Sequence, residues 1–307
     1  MVHKHLVERA HIISAIRHFF EERAFLEVET PLLVPSPGLD LHLNAFEVLE
    51  GRTGKTYYLS TSPEYQMKRL LAEGYSKIMQ ITKCFRQGEI GERHNPEFTM
   101  VEWYRASAGM EDMIKDTEEL IGYVTGGVVR LDNRVLNTSP PFARITVCEA
   151  FERYASFSPH ETLALAADAE DDFFRLLVET IEPALAQLDH ALFLTDYPAT
   201  QASLARTKPE NRLLAERFEL YIAGVELCNG FGELVDPQEQ RFRLEQEQAK
   251  RRASQRPVYP IDERFLTSLA QGIPPSGGNA LGVDRLVALT CGTNQIQQVI
   301  SFTIDEL

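Results

Sequence analysis

The chain has 307 residues, a formal charge of −14, and hydrophobic and charged fractions of 44% and 25%. That balance belongs to a globular protein with a full core rather than a disordered chain, and the length allows one large domain or two small ones. It excludes a membrane span, since no apolar run approaches roughly 20 residues, and it argues against a sequence-independent grip on nucleic acid, which needs Lys and Arg to displace counterions. The amino terminus has no apolar signal-peptide core. The cysteines at 84, 148, 228 and 291 show neither zinc nor disulfide spacing, so a cytoplasmic protein is expected.

Leu6, Ile12, Ile13, Ile16, Phe19 and Phe20 recur at helical spacing. In the following FLEVETP, Phe25, Glu27 and Glu29 alternate with Leu26 and Val28 as in a strand, and Pro31 closes it. PSPG at 35–38 marks a loop. GRTGKT resembles the end of a phosphate-binding P-loop, but the first glycine of that motif would fall on Leu49. A hairpin turn around Gly51–Gly54 is predicted instead.

Residues 77–86 and 98–105 read as strands separated by an eleven-residue charged loop. Met110, Met113, Ile114, Thr117, Leu120 and Ile121 mark an amphipathic helix. Ser158 to Glu161 has the form of a capping box with proline at the first helical position, opening an acidic helical stretch to about residue 188. Residues 1–307 are expected to form a single domain, with approximately 107–190 a helical insertion at its surface. Asp236-Pro237 begins a helix whose Gln, Glu and Arg through Arg252 read as a solvated face, and GNALGVDRLVAL leads into a helix ending at Gly292.

Strand parity locates candidate chemistry. Phe98, Met100, Glu102 and Tyr104 fall on one side of their strand, and Thr99, Val101 and Trp103 on the other. The preceding strand ends at Arg86, and the loop between carries Glu89, Arg93, His94 and Asn95. One face thus combines an aromatic plane, a carboxylate and a phenol, with an arginine suited to phosphate at the loop mouth. A salt-bridged hairpin with Phe98 in the core accounts for the same pattern. Farther on, Arg217, Glu219 and Tyr221 alternate with Phe218, Leu220 and Ile222. With Ala223-Gly224 as a two-residue turn, Glu226 falls opposite Tyr221 and diagonal to Glu219. Two such carboxylates suit Mg²⁺, which takes one or two carboxylates plus substrate phosphates. Asn229, Phe231 and Glu233 follow within a few residues.

Three stretches, in this order, resemble the motifs of class II aminoacyl-tRNA synthetases: FLEVETP at 25–31, CFRQGEIGERHNPEFTMVEWY at 84–104 and GNALGVDRLVAL at 278–289. Within the class, RHNPEFTM at 93–100, ELCNGFGEL at 226–234 and SPEYQMKRLL at 62–71 resemble the lysyl-tRNA synthetases. LDLHLNAFE at 39–47 and PATQASLA at 198–205 are closer to the truncated paralogues that modify elongation factor P. The resemblance implies an α+β catalytic core, a mostly antiparallel sheet flanked by helices, in a homodimer. Lysyl synthetases carry an amino-terminal anticodon-reading OB domain; this sequence begins at the core, so no anticodon recognition is expected.

By that resemblance Arg86 would hold the α-phosphate of ATP, and Phe98 and Arg285 would sandwich the adenine. Arg285 would also reach the γ-phosphate, while His94, Asn95 and Gly282 would complete the nucleotide site. Arg86 and Arg285 would thus be the catalytic pair, and Glu219 and Glu226 would carry Mg²⁺. Glu64 would meet the substrate amino group near the reacting carboxylate, and Asn229 the carboxylate. Glu102, Tyr104 and Glu233 would enclose the side-chain amine, with Phe231 alongside. Ser62 and Ala280, where lysyl synthetases usually carry alanine and glycine, would shape the pocket. Motif 2 departs from the usual Phe-Arg-Asn-Glu: here it is Phe85-Arg86-Gln87-Gly88, without the glutamate that helps fix adenine. The implied activity is ATP-dependent activation of (R)-β-lysine or lysine and transfer to a lysine of elongation factor P. A minimal lysyl-tRNA synthetase, a free amino-acid ligase of the asparagine synthetase kind and a non-catalytic lysine- or ATP-binding paralogue are the alternatives.

Overall fold

A computed structural model describes residues 5–307. The first periodic segment is helix α1 (Leu6–Glu21), and its Ile12, Ile16, Phe19 and Phe20 are buried. FLEVETP contributes only a short strand, β1 (Leu26–Glu27), because just two residues find a partner. Strands β2 (Leu33–Val34), β3 (Glu47–Leu49) and β4 (Thr56–Leu59) form a small separate sheet. GRTGKT lies in the β3–β4 turn, where Glu50 accepts the Arg52 and Thr53 amides at 3.0 and 2.7 Å. Helix α2 (Glu64–Ala72) leads to the hairpin of β5 (Lys77–Phe85) and β6 (Glu97–Ala106).

The next hundred residues are less uniformly helical than their composition suggests. Helix α3 (Met110–Thr125) is no surface addition, for Met113, Ile114, Leu120 and Ile121 sit in the main core beside Trp103. Val128–Leu131 alternates exposed and buried residues, and that two-residue period makes strand β7, paired with β8 (Arg134–Asn137). After β9 (Ala143–Thr146) come α4 (Val147–Ala155), α5 (Pro159–Asp168) and α6 (Glu170–Leu176). A π-helical turn (Leu177–Ile181) then joins α7 (Glu182–Leu185). Ser158 caps α5, with Glu161 reaching back to its amide, as the sequence predicts. These helices pack on β10 (Leu192–Pro198) around a core of their own that includes Phe151, Phe173 and Tyr197.

The chain continues through β11 (Thr207–Lys208), β12 (Asn211–Ile222) and β13 (Val225–Gly232). Helices α8 (Pro237–Ala253) and α9 (Glu263–Gly272) precede β14 (Ser276–Gly282) and α10 (Val283–Thr290). Both residues of the β12–β13 turn, Ala223 and Gly224, have positive φ (51° and 70°), the geometry of a two-residue I′ hairpin. The large sheet has nine strands in the order β1-β5-β6-β14-β13-β12-β10-β9, with β11 pairing β12. Every pair is antiparallel except β1–β5 and β9–β10. Val101 and Trp103 bury one face of β6 among α1, α3 and α10, which leaves the opposite face of the sheet as the floor of a cavity.

Candidate active site

Register lays the candidate residues in a line. Gln80, Glu102, Ala280, Asn229 and Glu219 are successive cross-strand partners on β5, β6, β14, β13 and β12. Directly opposed residues point to the same side of a sheet, so the row crosses the middle of the floor. Beside it Tyr104, Gly278, Phe231 and Arg217 form a second row. A side chain at Gly278 would collide with Glu233 and the Tyr104 ring, so glycine is required at that point of the row. Above lies a cavity of about 600 Å³ lined by Ser62, Glu64, Glu102, Asn229, Phe231 and Ala280, and by Arg86, His94, Asn95, Phe98, Gly282 and Arg285. Glu219 and Glu226 line it as well.

One end of the cavity is acidic. Glu102 is fully buried; its Oε1 accepts the Ser62 hydroxyl at 2.7 Å and its Oε2 the Tyr104 hydroxyl at 2.8 Å. Both partners are neutral. Burial, then the nearby Glu64 charge, pushes the Glu102 carboxyl up to about 7, against the lowering effect of the two hydroxyls and Lys68. Tyr104 and Glu233, expected to enclose the ligand amine, lie outside the cavity lining. Tyr104 stands behind Glu102, and Glu233 lies 2.5 Å from the ammonium of Lys68, which also binds Glu64 at 2.5 Å.

The other end is basic. Arg86 stands over the Phe98 ring, 5.0 Å from its centroid, and its buried Nε has no hydrogen-bond partner. Glu89 turns back to within 3.7 Å of Arg86, so a carboxylate does reach the motif 2 arginine despite Gln87-Gly88. Arg285, on the first turn of α10, donates to the Glu226 carbonyl at 2.9 Å and lies 2.6 Å from His94 Nε2. A guanidinium only donates, so that nitrogen is the acceptor and the proton sits on Nδ1. Burial, then the Arg285 charge, keeps the His94 pKa below its usual value and the ring neutral. Asn95 is occupied by backbone: its amide donates to Glu97 at 2.7 Å and accepts from Ile304 at 3.0 Å, so it shapes the loop.

Between the ends, Tyr221 faces Glu226 across the hairpin, as the alternation predicts. Glu219 is clamped by Arg217 at 2.6 Å and by the phenols of Tyr197 and Tyr221 at 2.6 and 2.8 Å. Glu182, from the start of α7, joins this group through Tyr221 at 3.3 Å; burial and then Glu226 and Glu219 push it up to about 7. No group of three or more His, Cys, Asp or Glu suited to a metal ion occurs among the described residues. The chemistry of the donors still fits a hard cation: two carboxylates opening on a cavity whose neighbouring cations suit phosphate, which would complete the shell.

Sequence reasoning missed Lys68, Glu182 and Arg251. The spacing of Glu64 and Lys68, four apart on a helix in the favourable order, was a signal for the first. Arg251 falls on a helix read as solvated yet is fully buried. Its guanidinium donates to the carbonyls of Asp40, Leu41 and Leu43 and to Asn44 Oδ1, and it lies 4.5 Å from the Tyr259 centroid. It thereby fixes the irregular 39–44 loop that forms a cavity wall.

The antiparallel sheet, the row across it and the paired arginines define a class II synthetase catalytic core. The family model for class II tRNA synthetases (D, K and N) matches residues 1–306, and the chain belongs to that family. Among curated proteins it is similar to the elongation factor P–(R)-β-lysine ligase of Haemophilus influenzae (strain PittGG), 41% identical over 98% of this chain and 95% of that protein. It is likewise similar to the ligases of the same name from Klebsiella pneumoniae (strain 342), 41% identical, and Salmonella paratyphi B, 40% identical, each over the same shares of the two chains.

Among the described residues no helix is long and apolar enough to cross a membrane.

Proposed function

We propose that this chain is an ATP-dependent, AMP-forming ligase that activates (R)-β-lysine as an adenylate and transfers it to a lysine ε-amine of elongation factor P. One observation carries the reading: Glu102, a buried carboxylate held only by neutral hydroxyls, faces one end of a cavity whose other end holds Arg86 and Arg285. A ligand with an ammonium at one end and a polyphosphate at the other matches that polarity. The acceptor comes from the names of the relatives.

In the first step a substrate carboxylate oxygen attacks the α-phosphorus of ATP, the bond to the bridging oxygen breaks and pyrophosphate leaves. Arg86, with its free Nε, takes the α-phosphate, and Arg285 the γ-phosphate; Phe98 stacks with the adenine. Glu219 and Glu226 would hold Mg²⁺, whose contribution is to neutralise charge on the phosphates. Asn229 holds the substrate carboxylate, and Glu64 the nearer amine. Glu102, backed by Tyr104 and Glu233, holds the far amine. In the second step a neutral acceptor amine attacks the activated carbonyl, the bond to AMP breaks, and the amine proton is released. No side chain becomes covalently attached, so positioning and fixed charge supply the acceleration.

Pyrophosphate exchange with (R)-β-lysine and α-lysine, followed by mass analysis of elongation factor P and of tRNA, tests the reading. Exchange with (R)-β-lysine and a single-residue mass increase on elongation factor P are expected. Labelled tRNA, or exchange without any labelled acceptor, would sink it; no exchange at all would favour a binding paralogue.

A homodimer is part of the same proposal. β1 is an edge strand; its Leu26 is exposed, as are Leu32 and Leu33 a few residues on, and exposed apolar side chains of this kind suit an interface. Sedimentation at micromolar concentration is expected to give about twice the 34.8 kDa of one chain. A monomer whose Leu26→Glu variant behaves identically contradicts it.

A further inference from the structure

Lys68 is fully buried in the wall behind the cavity, and its ammonium makes two 2.5 Å ion pairs. One partner, Glu64, lies a turn earlier on α2 and lines the cavity; the other, Glu233, follows the end of β13 and does not. Glu102 and Tyr104 of β6 face the same group, and Arg206, paired with Glu216 at 2.6 Å, acts on Glu233 from another side. Phe265 of α9 lies 5.9 Å from the ammonium. Glu233 Oε1 has no hydrogen-bond partner. Three carboxylates, Glu64, Glu102 and Glu233, therefore share this end of the site with Lys68 as the cation between two of them.

We propose that Lys68 is a positioning residue for amino-acid recognition: its ammonium bridges the carboxyl groups of Glu64 and Glu233, so that Glu64 stays aimed at one substrate amine while Glu102 is left for the other. The inference rests on the ligase reading above. Three carboxylates against one internal ammonium leave a deficit that an acid with two ammonium groups closes. An acid with one leaves a buried carboxylate uncompensated, which is costly unless it takes up a proton. Without Lys68, Glu64 and Glu233 become like charges within one cluster, and one of them takes a proton. The pair already leans that way: burial, only partly offset by Lys68, pushes Glu233 up to about 8. Lys68 itself stays charged, since Glu233 and Glu64 outweigh the effect of burial.

The test is pyrophosphate exchange between about pH 6 and 9 in wild type, Lys68→Met, Lys68→Arg and the double variant Lys68→Met/Glu233→Gln. Lys68→Met is expected to raise KM for (R)-β-lysine about 30-fold, with KM for ATP within about twofold, because only the amine end is disturbed. Its acid limb of kcat/KM, set by Glu102, moves up by about one pH unit, since the Lys68 charge no longer helps hold the Glu102 carboxyl down. Lys68→Arg keeps the charge and the wild-type limb. The double variant removes both members of the buried Lys68–Glu233 pair rather than stranding one, and so folds even if Lys68→Met does not; its limb returns to the wild-type position. An unchanged amino-acid KM and limb in Lys68→Met overturn the inference, as does a limb displaced in Lys68→Arg or in the double variant. A wild-type protein that activates no lysine-like acid would instead overturn the ligase reading.

Discussion

Arg285→Ala is expected to lower the rate of adenylate formation by roughly a thousandfold, about 4 kcal/mol of transition-state stabilisation. Arg285 sits on the first turn of α10, tied to the Glu226 carbonyl at 2.9 Å and to a neutral His94 at 2.6 Å. Neither tie cancels the charge it holds over the cavity, and the ion pair with the Glu226 carboxylate is a loose one at 3.5 Å. A cation fixed where negative charge must redistribute needs no reorganisation when the phosphate reacts. Alanine removes the charge and both ties, but the arginine lies outside the hydrophobic core clusters, so folding is expected to survive. Exchange kinetics and calorimetric binding of the amino acid without ATP check this together: the first collapses and the second persists. Wild-type exchange would defeat the assignment of the phosphate end.

Glu102→Gln is expected to cut kcat/KM for the amino acid by about a hundredfold, since losing one partner of a buried charged pair costs on the order of 3 kcal/mol. KM for ATP should move by less than about twofold, for the phosphate end is untouched. The pH dependence provides a second check. A carboxyl pushed up to about 7 carries its proton below that pH and cannot pair with an ammonium. The wild-type kcat/KM should therefore fall about tenfold per pH unit on the acid side. In Glu102→Gln that limb vanishes. Ser62→Ala removes a bond that lowers the Glu102 pKa and so moves the limb to higher pH. A glutamine variant with the wild-type acid limb would show that another group governs binding.

Much of this site was legible because strands alternate. The parity of Phe98, Met100 and Glu102 against Val101 and Trp103 separates cavity from core without any structure. The two-residue turn at Ala223-Gly224 was enough to set Glu226 against Tyr221. What stayed hidden depends on contacts that no local period encodes. Glu64 and Lys68 look like an ordinary surface pair on a helix; only the distant Glu233 turns them into a buried triad. Arg251 has the composition of a solvated helix around it, and its burial follows from a loop more than two hundred residues earlier that needs donors for its carbonyls. In the stretch near 107–190 the capped helix at Ser158 carries a strong local signal, whereas the two-residue period of Val128–Leu131 lasts only four residues and depends on its partner strand.

The cross-strand row makes the sheet a ruler with coarse graduations. Each step from Glu102 to Ala280 to Asn229 to Glu219 is one strand spacing, about 4.8 Å. Moving an amino group by one carbon displaces it by only about 1.5 Å, well under one graduation. Backbone register can thus measure how far an amine lies from a phosphate, but it is too blunt to tell neighbouring isomers apart. We propose that this finer reading falls to the short side chains on the row and its rim, Ala280 and Ser62, where a methyl or a hydroxyl is the unit of change.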